Sequence, residues 1–140
     1  MNATSNDKGD TTSRELSRHD FGMGLLAGLH TKGVATLDDR DAEKVHASFL
    51  EAFKVVEHRL GREHLRFSII THRIYGTSAD VYNIFSYWLG LWATKDAPGT
   101  IWRFNMTDQS AERLFAELRG GRELYVEAAE AFLLCYRGYK

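Results

Sequence analysis

Apolar side chains recur every three or four positions between residues 78 and 93, a spacing that predicts a helix. This stretch contains five aromatic residues and a single acidic one, so we expect an aromatic-rich helix over residues 79–93, opened by Thr77 or Ser78, at the centre of the fold. Its apolar positions are Val81, Tyr82, Ile84, Phe85, Tyr87, Trp88, Leu89, Leu91 and Trp92. A helix that is apolar on nearly every side is expected to be buried.

A second helical pattern covers residues 39–60, where an apolar face lies opposite a charged one and predicts an amphipathic helix. Thr36 and Asp39 have the spacing of a capping box, and Gly61 marks the end. The apolar face consists of Ala42, Val45, Phe49, Ala52, Phe53, Val56 and Leu60.

Two stretches, residues 65–74 and 100–106, alternate apolar and polar residues and predict two short strands. The alternating apolar positions are Leu65, Phe67 and Ile69 in the first stretch, and Trp102, Phe104 and Met106 in the second. A helix over residues 62–75 is the alternative, because several apolar residues there also lie near helical spacing.

The first 18 residues are polar, with Leu16 as the one large apolar side chain after Met1, and they predict a disordered tail. Residues 19–140 are expected to form a single globular domain. A short helix is expected near its start, where Phe21, Leu25 and Leu29 lie four apart and Asp20 could act as the cap. Three glycines there, Gly22, Gly24 and Gly28, indicate either close packing against a neighbour or an irregular segment.

Two further helical patterns near the C-terminus, separated by Gly120 and Gly121, predict a helical hairpin. Together these elements predict a small, mostly helical α+β domain, and an all-α fold is the alternative. Because an isolated pair of strands is marginal in water, we expect residues 29–37 or another subunit to complete the sheet. If the two strands are neighbours and parallel, a right-handed crossover joins them.

Composition and charge limit the kinds of partner that this protein is expected to bind. A formal net charge of −1 provides no field to attract nucleic acid or an anionic membrane, and nothing approaches 18 consecutive apolar residues. The single cysteine, Cys135, cannot form a bridge within the chain, so we expect a reducing, cytoplasmic location.

Parts of the sequence resemble known metal, cofactor and nucleic-acid motifs, but the residues around them do not support those functions. His64 and His72 are too far apart along a strand or a helix to share a metal ion directly. The glycines of residues 22–27 match the letters of a dinucleotide fingerprint, but a polar tail precedes them instead of a strand. A recognition helix after Gly120 would present three glutamates to DNA. We therefore expect no metal, no cofactor and no nucleic-acid partner.

The best local candidate for a binding site is the segment from residue 72 to residue 80, where a strand end, a small-residue loop and a helix start would meet. Backbone N–H groups of Gly76, Thr77 and Ser78 could bind a phosphate or carboxylate, with His72 and Arg73 nearby. The simpler interpretation is that Thr77 or Ser78 only caps the helix. The spacing shows no catalytic triad or paired carboxylates, so the sequence assigns no catalytic residue and leaves enzymatic activity open.

Two functions from different classes follow. The first is a non-catalytic interaction or regulatory domain that forms a homodimer, or binds another protein, through an apolar aromatic face. The second is a protein or small enzyme that binds an anionic small molecule at the start of the aromatic helix. The second predicts a pocket lined by His72, Arg73, Ser78 and at least one of Tyr82, Trp88 and Trp102.

Overall fold

The computed structural model describes residues 15–90, 92–96 and 99–138, and within them it contains five α-helices, one short 3-10 helix and three short strands. The helices are α1 (Arg18–Thr31), α2 (Ala42–Leu60), α3 (Ala79–Trp88), α4 (Asp108–Glu117) and α5 (Gly121–Gly138). The strands are β1 (Thr36–Asp38), β2 (Ala93–Lys95) and β3 (Ile101–Phe104), and the 3-10 helix covers Arg62–His64. The predicted α+β class and the C-terminal helical hairpin, α4 and α5, are confirmed.

Helix α1 is the most enclosed element, since every residue from 21 to 29 is buried. It packs against α3, α4 and α5. A Cβ atom on Gly28 would lie 2.2 Å from the carbonyl oxygen of Tyr125 in α5, so the glycine permits the backbones to approach closely, as the sequence predicted. Ser17 caps this helix in a reciprocal capping box with Asp20, so the expectation that Asp20 itself is the cap was wrong.

The aromatic helix is confirmed as α3, with Ser78 as its cap, but it ends at Trp88 and not near residue 93. Gly90 has a φ of +96°, a conformation that favours glycine, and the chain turns there. Residues 93–95 then form β2, and residue 91 lies outside the described residues. Trp88 is fully buried whereas Tyr82 is largely exposed, so α3 buries one side and leaves the other open.

Helix α2 begins at Ala42, three residues later than predicted, because residues 36–38 pair with β3 and cannot cap a helix. The side chain of Asp41 is the cap and accepts a hydrogen bond from the backbone N–H of Lys44 at 3.2 Å. The helix ends at Gly61, as expected. Its apolar face packs chiefly on α5.

The sheet is antiparallel with the order β1-β3-β2, so β3 has a partner on both edges. The predicted strand over residues 100–106 is confirmed as the shorter β3, and the expected third strand from residues 29–37 is present as β1. In register, Leu37 of β1 and Lys95 of β2 both lie opposite Trp102 of β3. The chain thus completes its own sheet with antiparallel strands, so the condition for a parallel crossover is not met.

The strand predicted over residues 65–74 is absent, and so is the alternative helix over residues 62–75. Only Leu65 makes a strand-like contact, an isolated bridge to Leu16. Both edges of β3 are occupied, so this segment finds no edge there to extend. The alternation that resembled a strand instead reflects Phe67 and Ile69, which are buried in the core of an otherwise irregular segment.

The predicted tail, residues 1–18, falls mostly outside the described residues, which begin at residue 15. Its last four residues belong to the fold. Leu16 is 1% exposed, and its backbone N–H donates to the carbonyl oxygen of His64 at 2.8 Å. The tail prediction therefore extended too far at its C-terminal end.

Candidate ligand-binding cavity

A cavity of about 410 Å³ lies where α2, α3 and the sheet meet. Helix α2, helix α3 and the sheet all contribute to its walls, and two of its lining residues, Asp39 and Lys95, are charged. The residues that line it are Asp39, Ala42, His46, Tyr82, Phe85, Ser86, Leu89, Lys95 and Trp102.

One wall consists of Tyr82, Phe85 and Ser86 of α3 and of Leu89, which directly follows the helix. These positions lie at i, i+3, i+4 and i+7, so they fall on one side. Phe85 is stacked on Trp102, with ring centroids 4.6 Å apart and planes inclined by 20°. Tyr82 and Leu89 are each 55% exposed. The wall is therefore flat and apolar inside, with two large side chains at the rim.

The sheet provides a second wall, which meets the first where Phe85 contacts Trp102. Because Lys95 and Trp102 are paired in register, their side chains lie on the same face of the sheet. The ammonium of Lys95 lies 5.0 Å from the ring centroid of Trp102, within cation–π distance. The central strand thus places an indole ring in the cavity and the neighbouring strand places a cation above it.

Asp39 follows β1 and holds these two side chains together. Its backbone N–H donates to the carbonyl oxygen of Thr100 at 2.8 Å, which fixes its position beside β3. Its Oδ2 accepts a hydrogen bond from Nε1 of Trp102 at 2.8 Å and lies 3.1 Å from Nζ of Lys95. The carboxylate and the ammonium neutralise each other, so this wall carries no net charge.

His46, from the second turn of α2, is 2% exposed and lies at the bottom of the cavity. Its Nδ1 lies 2.7 Å from the backbone nitrogen of Ser78, whose N–H can only donate, so Nδ1 accepts and carries no proton. The imidazole is therefore neutral, with its proton on Nε2. Burial lowers the pKa of His46, while the nearby Asp39 carboxylate acts in the opposite direction.

Within the described residues, Nε2 of His46 makes no hydrogen bond, and the one aromatic contact of this ring is with Tyr82, at 4.7 Å between centroids. The cavity thus offers a buried N–H donor, an internally neutralised ion pair and two stacked aromatic rings. No three histidine, cysteine or acidic side chains among residues 15–90, 92–96 and 99–138 are grouped closely enough to hold a metal ion.

The predicted anion site at residues 72–78 is adjacent, but most of its donors bond within the chain. The N–H of Gly76 donates to the carbonyl oxygen of His72 at 2.9 Å, and that of Ser78 donates to His46. Nδ1 of His72 accepts from the backbone N–H of Ile74 at 3.1 Å. Arg73 is exposed. Of the backbone N–H groups of Gly76, Thr77 and Ser78, that of Thr77 is the one that bonds to nothing in the described part of the chain. The anion site stays a prediction, and the structure adds no support to it.

The sequence named Tyr82 and Trp102 as pocket residues but missed the polar residues Asp39, His46, Ser86 and Lys95. His46 had a detectable signal, since it is a polar residue on the apolar face of α2, between Val45 and Phe49. From the sequence, Asp39 was expected to belong to a capping box, and Lys95 had no predicted role. Their meeting depends on the register of β1, β2 and β3, which spacing along the chain does not reveal.

Comparison with known proteins provides no identity: no protein-family model, curated protein or solved structure matches this chain. None of the described helices has both the length and the apolar composition needed to cross a membrane. The functional argument therefore depends on the geometry of the cavity.

Proposed function

We propose that this protein binds a small organic molecule in the cavity between α2, α3 and the sheet. Its volume of about 410 Å³ lies within the range of roughly 300–1,000 Å³ that is usual for ligand pockets. Such pockets combine mainly apolar and aromatic walls with a few polar groups that orient the ligand. Phe85 and Trp102 supply the walls, and His46 is the polar group at the bottom.

The observation that carries this proposal is the buried Nε2–H of His46, which bonds to nothing in the described part of the chain. An unsatisfied buried donor costs about 1–3 kcal/mol, and most buried polar groups in proteins have a partner. Ser78 holds the other ring nitrogen, so the ring cannot turn over without losing that bond. A ligand that accepts from Nε2 would recover the cost.

The test is to incubate the protein with a cellular metabolite extract, remove free compounds by gel filtration and measure the bound mass by native mass spectrometry. We expect a bound small molecule on the wild-type protein. Ser86→Phe, which fills the cavity from α3, should abolish it. Asn83→Phe is the matched control, because Asn83 is exposed on the same helix and does not line the cavity. A wild-type protein that binds no compound, or a Ser86→Phe variant that still does, would contradict the proposal.

A homodimer is the second candidate. The reasons that first favoured it have weakened, because the chain supplies a third strand and Trp102 is buried by its own domain. One observation still supports it: Ile70, Ile74 and Tyr75 are 72%, 79% and 68% exposed on one short segment. Light scattering at micromolar concentration tests it. A dimer mass that Ile74→Lys converts to a monomer mass would support this surface, and a monomer mass in the wild type would reject it.

A further inference from the structure

We infer that the ligand of this cavity is a neutral, mainly apolar molecule with a carbonyl-type oxygen, such as an aromatic amide or ketone, that accepts a hydrogen bond from Nε2 of His46. This inference rests on the proposed function and adds the charge and chemical class of the ligand. It differs from the anionic ligand that the sequence offered as the second of its two candidate functions.

The charge of the ligand follows from the charges that face the cavity. Lys95 and Asp39 lie 3.1 Å apart and cancel, and the Ser78 hydrogen bond keeps His46 neutral. A charged ligand that leaves water needs an opposite charge that is not already paired. An anion would have to take Lys95 from Asp39, and a cation would have to take Asp39 from both Lys95 and the Trp102 indole. Charged ligands are therefore disfavoured.

The need for an acceptor follows from the tautomer of His46. Its free nitrogen is a donor, because the proton lies on Nε2, so a ligand group that only donates, such as an ammonium, cannot satisfy it. A carbonyl oxygen can. The apolar character of the ligand follows from Phe85, Leu89 and Trp102, which line the cavity beside His46.

The experiment compares four fragments of similar size: benzamide, toluene, benzoate and benzylamine. Benzamide carries a neutral acceptor and toluene carries none. Benzoate adds a negative charge and benzylamine a positive one. Binding is followed by the indole N–H resonances of ¹⁵N-labelled protein. The Trp102 indole lines the cavity and reports binding, whereas the Trp88 indole donates to the carbonyl oxygen of Gly22 at 3.0 Å in the core and serves as an internal control.

We expect benzamide to bind about tenfold more tightly than toluene, the effect of one satisfied hydrogen bond, and more tightly than either charged fragment. His46→Asn can still accept from Ser78 but places no donor at Nε2, so the benzamide preference should fall to about one. His46→Gln retains a donor there and should keep part of the preference. Should both variants fail to fold, the four-fragment series on the wild-type protein still decides.

The outcomes separate the two proposals. If a fragment shifts the Trp102 indole but benzoate or benzylamine binds most tightly, or benzamide binds no better than toluene, the ligand class is overturned and the cavity remains a binding site. If no fragment shifts the Trp102 indole, the proposed function itself fails.

Discussion

The backbone N–H of Ser78 donates a 2.7 Å hydrogen bond to Nδ1 of His46, joining the start of α3 to the bottom of the cavity. The hydroxyl oxygen of Ser78 also caps α3 by accepting from the N–H of Asp80 at 3.1 Å. One residue therefore begins the helix that forms a cavity wall and fixes the tautomer of the histidine beneath it.

The first prediction concerns pH and stability. Burial lowers the folded-state pKa of His46 below its ordinary value of 6.5, so the unfolded chain binds this proton more readily than the folded chain does. The free energy of unfolding should then decrease as the pH falls below about 6.5 towards the folded-state pKa. Urea denaturation between pH 7.5 and 5 measures this decrease.

The matched variants are His46→Asn and His58→Asn. The first removes the buried titrating group but retains an acceptor for Ser78, so it should flatten the pH dependence. The second changes an exposed histidine on the same helix and should leave the dependence as in the wild type. If the free energy of unfolding changed with pH equally in His46→Asn and in the wild type, His46 would not be the group responsible.

The second prediction concerns Trp88, which is fully buried against Phe49, Phe85 and Phe104. Trp88→Ala should lower the free energy of unfolding by about 3–5 kcal/mol, because it removes a large side chain and leaves a cavity. Leu134→Ala, at a position 80% exposed on α5, should cost under about 0.5 kcal/mol. If the two variants had the same denaturation midpoint, Trp88 would not be part of the core.

The third prediction concerns the contact between α1 and α5. Gly28→Ala places a methyl group against the backbone of Tyr125, which cannot move aside like a side chain, so a loss of about 1–3 kcal/mol is expected despite the better helix propensity of alanine. Gly138→Ala is the control, since a Cβ there meets no atom within 4 Å. Thermal unfolding of both variants checks the contrast, and a stabilised Gly28→Ala would disprove the close approach.

The fourth prediction concerns where the folded domain begins. A chain that starts at residue 19 should be less stable than one that starts at residue 15, by at least about 2 kcal/mol, because it loses the buried Leu16 and the Ser17 cap. Leu16→Ala in the longer chain should reproduce most of the loss. If the two chains had the same denaturation midpoint, residues 15–18 would not belong to the folded domain, as the sequence suggested.

The sequence predicted the helices well wherever their apolar residues repeated clearly and a cap or glycine marked the end. Helix α2 shows this at Gly61, and the hairpin shows it at Gly120 and Gly121. The wrong predictions of secondary structure share one cause. An apolar run does not distinguish a helix from a strand or a buried irregular segment, so α3 was extended to residue 93, β2 was missed and residues 65–74 were assigned to a strand.

The cavity could be predicted only in part for a related reason. The spacing of Tyr82, Phe85 and Leu89 along one helix is visible in the sequence. The meeting of Asp39 with Lys95 is not, because these residues are 56 positions apart and depend on two strands of three residues each. Short strands have weak patterns, and their partners are chosen by the whole fold.

The most direct test of the account is ¹⁵N NMR of the His46 imidazole at pH 7.5, before and after addition of benzamide. We predict a protonated Nε2, an unprotonated Nδ1 and a saturable shift of the Nε2 resonance as benzamide binds. A proton on Nδ1, or an Nε2 resonance that benzamide does not change, would contradict the claim that a buried histidine donor organises a ligand site in this protein.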